Sequence, residues 1–341
     1  EPRTNMKVND YWMCDPGRLE TYPAVNDERY DGPEILRGDA QIAVSWDEAV
    51  TETISKLREI KTNRLAFVAS PHATLEENHA FARFVREVVG AKDLRSYRVD
   101  DAGFADEKLR VADRSPNSKG LALLGIEVDG SLDDLRRDLD EKRIDGIVSI
   151  DDRLGNGDAA FEELLENLDL LIVAASNRTS IARAADVVLA RSSWAEQEGT
   201  YVNVAGMVQH VEATVTTRVN EARMGMKQSR LDKFGAANDR WTQGTKRDAR
   251  PVWQIIATLS RLMGTPQSWQ WAADLVEELA GSKKELAGMS YERLDEFRGI
   301  ALGKGERPTP HPREYLPHDF RPQLKRAENP AVVTIDTPEL G

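Results

Sequence analysis

The residue whose chemistry stands out first is Cys14, the single cysteine in 341 residues. It sits in the stretch Val8-Asn9-Asp10-Tyr11-Trp12-Met13-Cys14-Asp15-Pro16-Gly17-Arg18. A thiol followed by a tight turn and an arginine suits a cluster ligand, because backbone N–H groups and positive charge stabilise a thiolate. A lone cysteine serves equally as a small buried hydrophobe. One cysteine excludes an internal disulfide, and it excludes a self-contained iron–sulfur cluster, which takes about four thiolates. A second chemical stretch follows Val187–Ala190 and holds Glu196, Glu198, Gly199, Thr200, Asn203, Gly206 and Gln209. Its glycines admit close backbone approach, and its polar groups could hold a nucleotide-like ligand. The same groups could instead satisfy the backbone of the loop itself.

Other chemistries find little support. After Leu65–Ala69 the turn reads Ser70-Pro71-His72-Ala73-Thr74, without the glycine pattern of a phosphate-binding loop. No Ser/His/Asp arrangement matches a nucleophile elbow. The five histidines do not cluster, and His72 falls before the helix that carries His79. The pairs Asp133-Asp134, Asp151-Asp152 and Glu162-Glu163 read as solvated positions.

The elements that must position these residues follow from hydrophobic spacing. Ser45 and Glu48 make a capping-box start for a helix with Trp46, Val50, Ile54, Leu57 and Ile60 on one face. Leu65–Ala69 is an apolar run bounded by turn residues, as in a strand buried on both faces. Thr74 and Glu77 form a second capping box, with Phe81, Phe84, Val85 and Val88 as the stripe and Gly90 as the stop. Alternation continues. Strands are expected at Leu121–Leu124, Gly146–Ile150, Leu170–Ala175 and Val187–Ala190, and helices from Ser131, at Ala159–Leu168 and at Thr179–Ala184. Such alternation predicts an α/β fold with a mostly parallel sheet and crossover helices.

Strand signals fade after residue 216, and helices are expected at Val252–Met263, Ala272–Leu279 and Tyr291–Leu302. Four of seven tryptophans (Trp241, Trp253, Trp269, Trp271) lie here, which predicts packing on a large apolar surface. From Gly303 to Pro330 the chain holds six of its fifteen prolines, and it is locally basic through Arg307, Arg313, Arg321, Lys325 and Arg326. The expected organisation is an irregular lead-in with the Cys14 segment over 1–44, an α/β domain over 45–216, a helical region over 217–302 and an extended Pro-rich tail over 303–341. A net charge of −12 argues against nucleic acid or an anionic membrane as partner. No apolar run reaches the roughly 18 residues of a bilayer span. The start Glu1-Pro2-Arg3 has neither a basic nor an apolar leader region, so no signal peptide is read.

Together these segments resemble the molybdopterin oxidoreductase superfamily, and within it the G subunit of bacterial NADH-quinone oxidoreductase (respiratory complex I). The Val8–Arg18 stretch is similar to a family element whose cysteine is the last ligand of a [4Fe–4S] cluster. Trp46-Asp47-Glu48-Ala49, Ser70-Pro71 with Glu76-Glu77-Asn78, and Ala185-Asp186-Val187-Val188-Leu189 with Glu196, Glu198-Gly199-Thr200, Asn203, Gly206 and Gln209 resemble further family elements. The resemblance implies Cys14 as a cluster ligand if upstream cysteines exist, and Glu196, Glu198, Gly199, Thr200, Asn203 and Gln209 as a vestigial pterin-type loop. Departures accompany it. Pro16 stands where lysine is usual, and Arg191 where proline is usual. Ser96-Tyr97-Arg98-Val99-Asp100-Asp101 offers no metal-ligating cysteine. The resemblance therefore implies a shortened scaffold module, with one [4Fe–4S] cluster shared with an upstream segment and neither molybdenum nor pterin. Its implied partners are other subunits of the peripheral arm, on the cytoplasmic side of the inner membrane, and its implied role is to support electron transfer from NADH to quinone. Two alternatives stand beside it: a fragment of a molybdopterin enzyme such as an NAD-linked formate dehydrogenase, and a stand-alone α/β nucleotide-binding protein.

Overall fold

A computed structural model describes residues 4–128, 132–227, 246–310, 323–326 and 333–336. The central element is a seven-stranded sheet in the order β2-β1-β7-β6-β5-β3-β4. Its parallel core comprises β3 (Leu65–Ala69), β4 (Leu94–Ser96), β5 (Gly146–Ser149), β6 (Leu170–Ala175) and β7 (Val187–Ala190). Every residue of β3, β5, β6 and β7 is buried, as continuous apolar runs in a sheet covered on both faces require. Glycine is needed at Gly146, where a Cβ would lie 2.8 Å from the Leu65 side chain on the adjacent strand.

The helices confirm much of the sequence pattern. Helix α2 (Trp46–Glu59) starts at Ser45, whose hydroxyl accepts from Glu48 N. Helix α3 (Leu75–Arg83) begins with the complete Thr74/Glu77 capping box. Its last turns widen over Phe84–Val89 and stop at Gly90, which adopts φ +75. Helices α5 (Leu132–Asp140), α6 (Ala159–Leu165) and α7 (Ser180–Ala184) carry the crossovers on to β5, β6 and β7.

Several local expectations change. Leu121–Leu124 is not a strand: Ser118–Leu123 forms helix α4 between β4 and α5. A four-residue apolar run is too short to separate the two periods, and contact with α3 and the later strand β8 favours the helix. The lead-in contains more than irregular chain. A short helix α1 (Asp15–Leu19) follows Cys14, and β1 (Glu34–Arg37) with β2 (Ala40–Ala43) form a hairpin that extends the sheet antiparallel to β7. The stretch after β7 is a hairpin of β8 (Gly199–Val202) and β9 (Met207–Val211), joined by β10 (Ile300–Ala301) in a small antiparallel sheet. Helix α8 (Arg218–Lys227) then leads out of the described stretch.

Helix α9 (Val252–Leu262) lies against α3, and α10 (Ala272–Ser282) also touches α3. Trp253 and Trp269 are buried in the common core, whereas Trp241 lies outside the described residues. Helix α11 spans only Tyr291–Glu296, because the chain turns through Arg298 and Gly299, both at positive φ, into β10. In the tail, β11 (Gln323–Arg326) pairs antiparallel with β12 (Val333–Asp336).

Candidate functional site

In a sheet of this order the crossovers reverse direction between β3 and β5, and the carboxyl ends of the strands flank the crevice where open α/β sheets bind ligands. The edge carries a buried polar cluster. Arg191, the residue after β7, donates its backbone N–H to Ala175 O at the end of β6. Its Nη1 reaches past β6 and donates to Ile150 O, just beyond β5, at 2.6 Å. Asp152 Oδ2 accepts from both Ser176 N and Ser176 Oγ at 2.8 Å. Asp151 and Asp152 are 4% and 6% exposed, so the expectation of solvated carboxylates fails here. Their position just after the largely apolar run Gly146–Ile150 was the available signal. By contrast, Asp133 and Asp134 are exposed as expected.

The charges divide according to surroundings. Burial pushes the Asp151 carboxyl up to about 6, and the neighbouring Asp152 charge adds to the rise. For Asp152 burial acts in the same direction, but the Arg191 charge and the two Ser176 hydrogen bonds outweigh it and hold the carboxyl below its ordinary value. His72 is pushed down to about 4, first by burial and then by the Arg153 charge, so the imidazole is neutral at pH 7. Ser192 Oγ, Ser193 Oγ and Gln197 Oε1 lie buried beside this cluster without a hydrogen-bond partner among the described residues.

The loop that resembles a pterin-type element is tied into the fold at nearly every step. Glu196 accepts from Arg29 Nη2 at 2.5 Å and from Ser193 N at 2.8 Å, and the Arg29 and Glu196 side chains are each 1% exposed. Arg29 also donates to Ser176 O and Val25 O, so it joins the lead-in to β6 and to the loop. Thr200 donates from its N–H and its Oγ1 to the Glu76 carboxylate at 2.8 and 3.0 Å. Gly199 makes that approach feasible, since a Cβ there would lie 2.5 Å from Thr74 Cγ2. Asn203 Oδ1 accepts from Ala205 N and Met207 N and shapes the β8–β9 turn, where Gly206 adopts φ +79. Glu198 lies 3.7 Å from His210, and Gln209 packs beside Gly299.

The structure thus brings together motifs that are distant in sequence. Glu76 meets Thr200, and Trp46 Nε1 donates to Asp248 O. Asn117, unnoticed in the sequence, bridges them. Its Nδ2 donates to Ala73 O, and its Oδ1 accepts from Val202 N. Arg29, Asn117 and Tyr291 carry no local pattern that would have singled them out.

Cys14 stands apart from this edge. It caps α1, its carbonyl accepting from Arg18 N at 3.1 Å, and its side chain is half-buried against Gly17. A Cβ on Gly17 would lie 3.0 Å from Sγ. Around it Met6, Val8, Tyr11, Trp12, Met13, Leu19 and Tyr22 are exposed. Among the described residues no three His, Cys, Asp or Glu side chains are arranged to hold a metal ion. A [4Fe–4S] cluster takes about four thiolates, of which this chain could supply Cys14 alone.

Fold and loop define a class. Residues 155–229 match the family model described as Molybdopterin oxidoreductase. The whole fold is similar to that of acetylene hydratase from Pelobacter acetylenicus, with a TM-score of 0.50 and 10% sequence identity over 86% of this chain and 69% of that one. Over the matched stretches the chain is similar to molybdopterin oxidoreductases.

More particular likenesses run in two directions. The chain is 30% identical over 135 residues to the F420-dependent formate dehydrogenase 2 subunit alpha of Methanococcus maripaludis, covering 39% of this chain and 16% of that protein. It is 28% identical over 126 residues to the G subunit of the NADH-quinone oxidoreductase of Rickettsia bellii, covering 37% of this chain and 17% of the relative. It is 27% identical over 139 residues to formate dehydrogenase H of Escherichia coli, covering 41% and 16%. The matched stretches thus span less than a fifth of each of these relatives. Among the described residues no helix is long and apolar enough to cross a membrane.

Proposed function

We propose that this chain is a non-catalytic scaffold module with the role of a complex I G subunit, set among other subunits of the peripheral arm on the cytoplasmic side of the inner membrane. In that role it supports electron transfer from NADH through iron–sulfur clusters to quinone. Cys14 would be the last ligand of a [4Fe–4S] cluster whose other thiolates come from an upstream segment. The cluster, when bound, supplies one-electron transfer. The residues of this chain hold the thiolate at the start of α1, beside Gly17, and surround it with an exposed apolar surface on which a neighbour can pack.

The observation that carries the proposal is the reach of Arg191 across the strand ends to Ile150 O. This guanidinium, with Asp151, Asp152 and His72, fills the edge at which a ligand of an open α/β sheet would sit. Glu196 is committed to Arg29 and Thr200 to Glu76, so these two polar groups of the loop already have internal partners. For these reasons the chain is assigned neither molybdenum nor pterin. Likeness to the Rickettsia bellii protein supports the complex I role. Purification of the native assembly tests it: the expected result is co-purification with peripheral-arm subunits and NADH-dependent quinone reduction. Molybdenum or tungsten with pterin bound stoichiometrically to this chain would overturn it in favour of a formate-dehydrogenase-like enzyme.

A further inference from the structure

We propose that Glu76, Tyr291 and His210 form a proton-dependent clamp that holds the small β8–β10 sheet and helix α11 against helix α3, tight below neutral pH and loosened above it. The geometry is a compact stack across three elements. Glu76, with 0% exposure on α3, accepts from Thr200 N and Oγ1 on β8 and from Tyr291 Oη on α11 at 2.7 Å. The Tyr291 ring stacks on the His210 imidazole of β9, with centroids 3.9 Å apart and planes 18° from parallel. His210 Nδ1 lies 3.0 Å from Asp295 on α11, and its Nε2 lies 3.7 Å from Glu198. Apolar side chains of Leu75, Val276, Leu279, Met289 and Leu294 adjoin the Thr200 end of the stack.

Protonation suits this arrangement. The two hydroxyls that bond Glu76 can each turn from donor to acceptor, so a neutral Glu76 still finds a partner for its own proton. An ionised Glu76 is a buried charge with no cation bonded to it among the described residues. The titratable groups around Tyr291 and His210 are mostly acidic: Glu76 and Glu77 on α3, Glu198 before β8, and Asp295 on α11. Tyr201 on β8 feels the charges of both Glu77 and Glu76, and the Arg191 guanidinium that of Glu77. His210 is the cationic group of the stack, and it is positive only when protonated. Raising the pH therefore adds a negative charge at Glu76 and removes a positive charge at His210 in the same cluster.

The proton affinities of both groups are displaced upward. Burial pushes the Glu76 carboxyl up to about 7, against the opposing hydrogen bonds of Thr200 and Tyr291. Burial works to lower His210, but the Glu198 and Asp295 carboxylates outweigh it and hold the imidazole above its ordinary value. Both groups are raised in the folded chain. The stability each contributes is complete below its unfolded-state value and is lost as the pH rises through its folded-state value.

The experiment is amide hydrogen exchange of the full chain from pH 5.5 to 8.5, corrected for the intrinsic pH dependence of exchange. Protection over 199–211 and 291–301 is expected to fall about tenfold across this window, while β3 and β6 stay unchanged. Glu76→Gln, which keeps the shape and removes the charge, is expected to lose at least half of that pH response. A wild-type chain whose protection in these segments is independent of pH would overturn the clamp, as would a Glu76→Gln chain with the full response. Titration of the wild-type carboxyl and imidazole by NMR stands independent of any variant. Midpoints of both groups above their ordinary values are expected, and a Glu76 midpoint near 4.5 would reject the proposal.

Discussion

The strand-end edge and the Cys14 segment treat their polar groups in opposite ways. At the edge, Arg29, Arg191, Asp152 and Glu196 are almost fully buried: Arg29 bonds Glu196 and a strand-end carbonyl, Arg191 a strand-end carbonyl, and Asp152 accepts from Ser176. Around Cys14, Tyr11, Trp12, Met13, Leu19 and Tyr22 face outward and the thiol is half-open. The charged groups of the first region find their partners within this chain, and the second presents a set of exposed apolar side chains. Under the proposed scaffold role, the fold is expected to turn inward at the strand-end edge and outward where a neighbour meets it.

Substitution should separate the two regions. The largest effect is expected at the buried pair: Arg29→Ala or Glu196→Ala strands a charge and should cost about 3–5 kcal/mol in a denaturant titration. A loss below 1 kcal/mol would mean that the edge is not held by this pair. Next comes Gly199→Ala, where the added Cβ meets Thr74, with an expected cost of about 1–3 kcal/mol by thermal unfolding. At the other region, Tyr11→Ser or Trp12→Ser should change stability by less than about 0.5 kcal/mol in the isolated chain, as for surface positions generally. The same substitutions should weaken binding of the partner subunits, read by co-purification.

Acid should act on the edge with two signs. The Asp152 carboxyl is held low, so its contribution is present above the unfolded-state value near 3.8 and is lost as the pH falls through the lower folded value. Asp151 is held at about 6, so its contribution is complete below 3.8 and is lost as the pH rises through 6. Asp151→Asn should therefore flatten the stability profile between pH 4 and about 6, whereas Ser176→Ala should move the Asp152 carboxyl back toward its ordinary value and so lessen the loss of stability in acid. A wild-type profile that is flat through this window would contradict the assignment of Asp151.

How far the sequence could be read depended on whether the stabilising partner was local. The β3, β5, β6 and β7 runs and the Thr74/Glu77 box depend on neighbours within a few residues, and they formed as read. Leu121–Leu124 was ambiguous, because four apolar residues suit either period until α3 and β8 pack on them. The β1–β2 and β8–β9 hairpins were hidden among turn formers and polar residues. In the candidate site, Glu196 and Thr200 drew attention through the loop pattern, but their partners Arg29 and Glu76 lie 167 and 124 residues away. Asp151 and Asp152 look like any surface pair until the strand ends surround them.

The central claim is that the edge carries no pterin while Cys14 serves a shared cluster. Iron, acid-labile sulfide and molybdenum content of the full-length protein, with and without Cys14→Ser, tests it most directly. The account predicts about four irons lost on Cys14→Ser and molybdenum and tungsten far below one per chain. An unchanged iron content in the variant, or stoichiometric molybdenum or tungsten in the wild type, would contradict it.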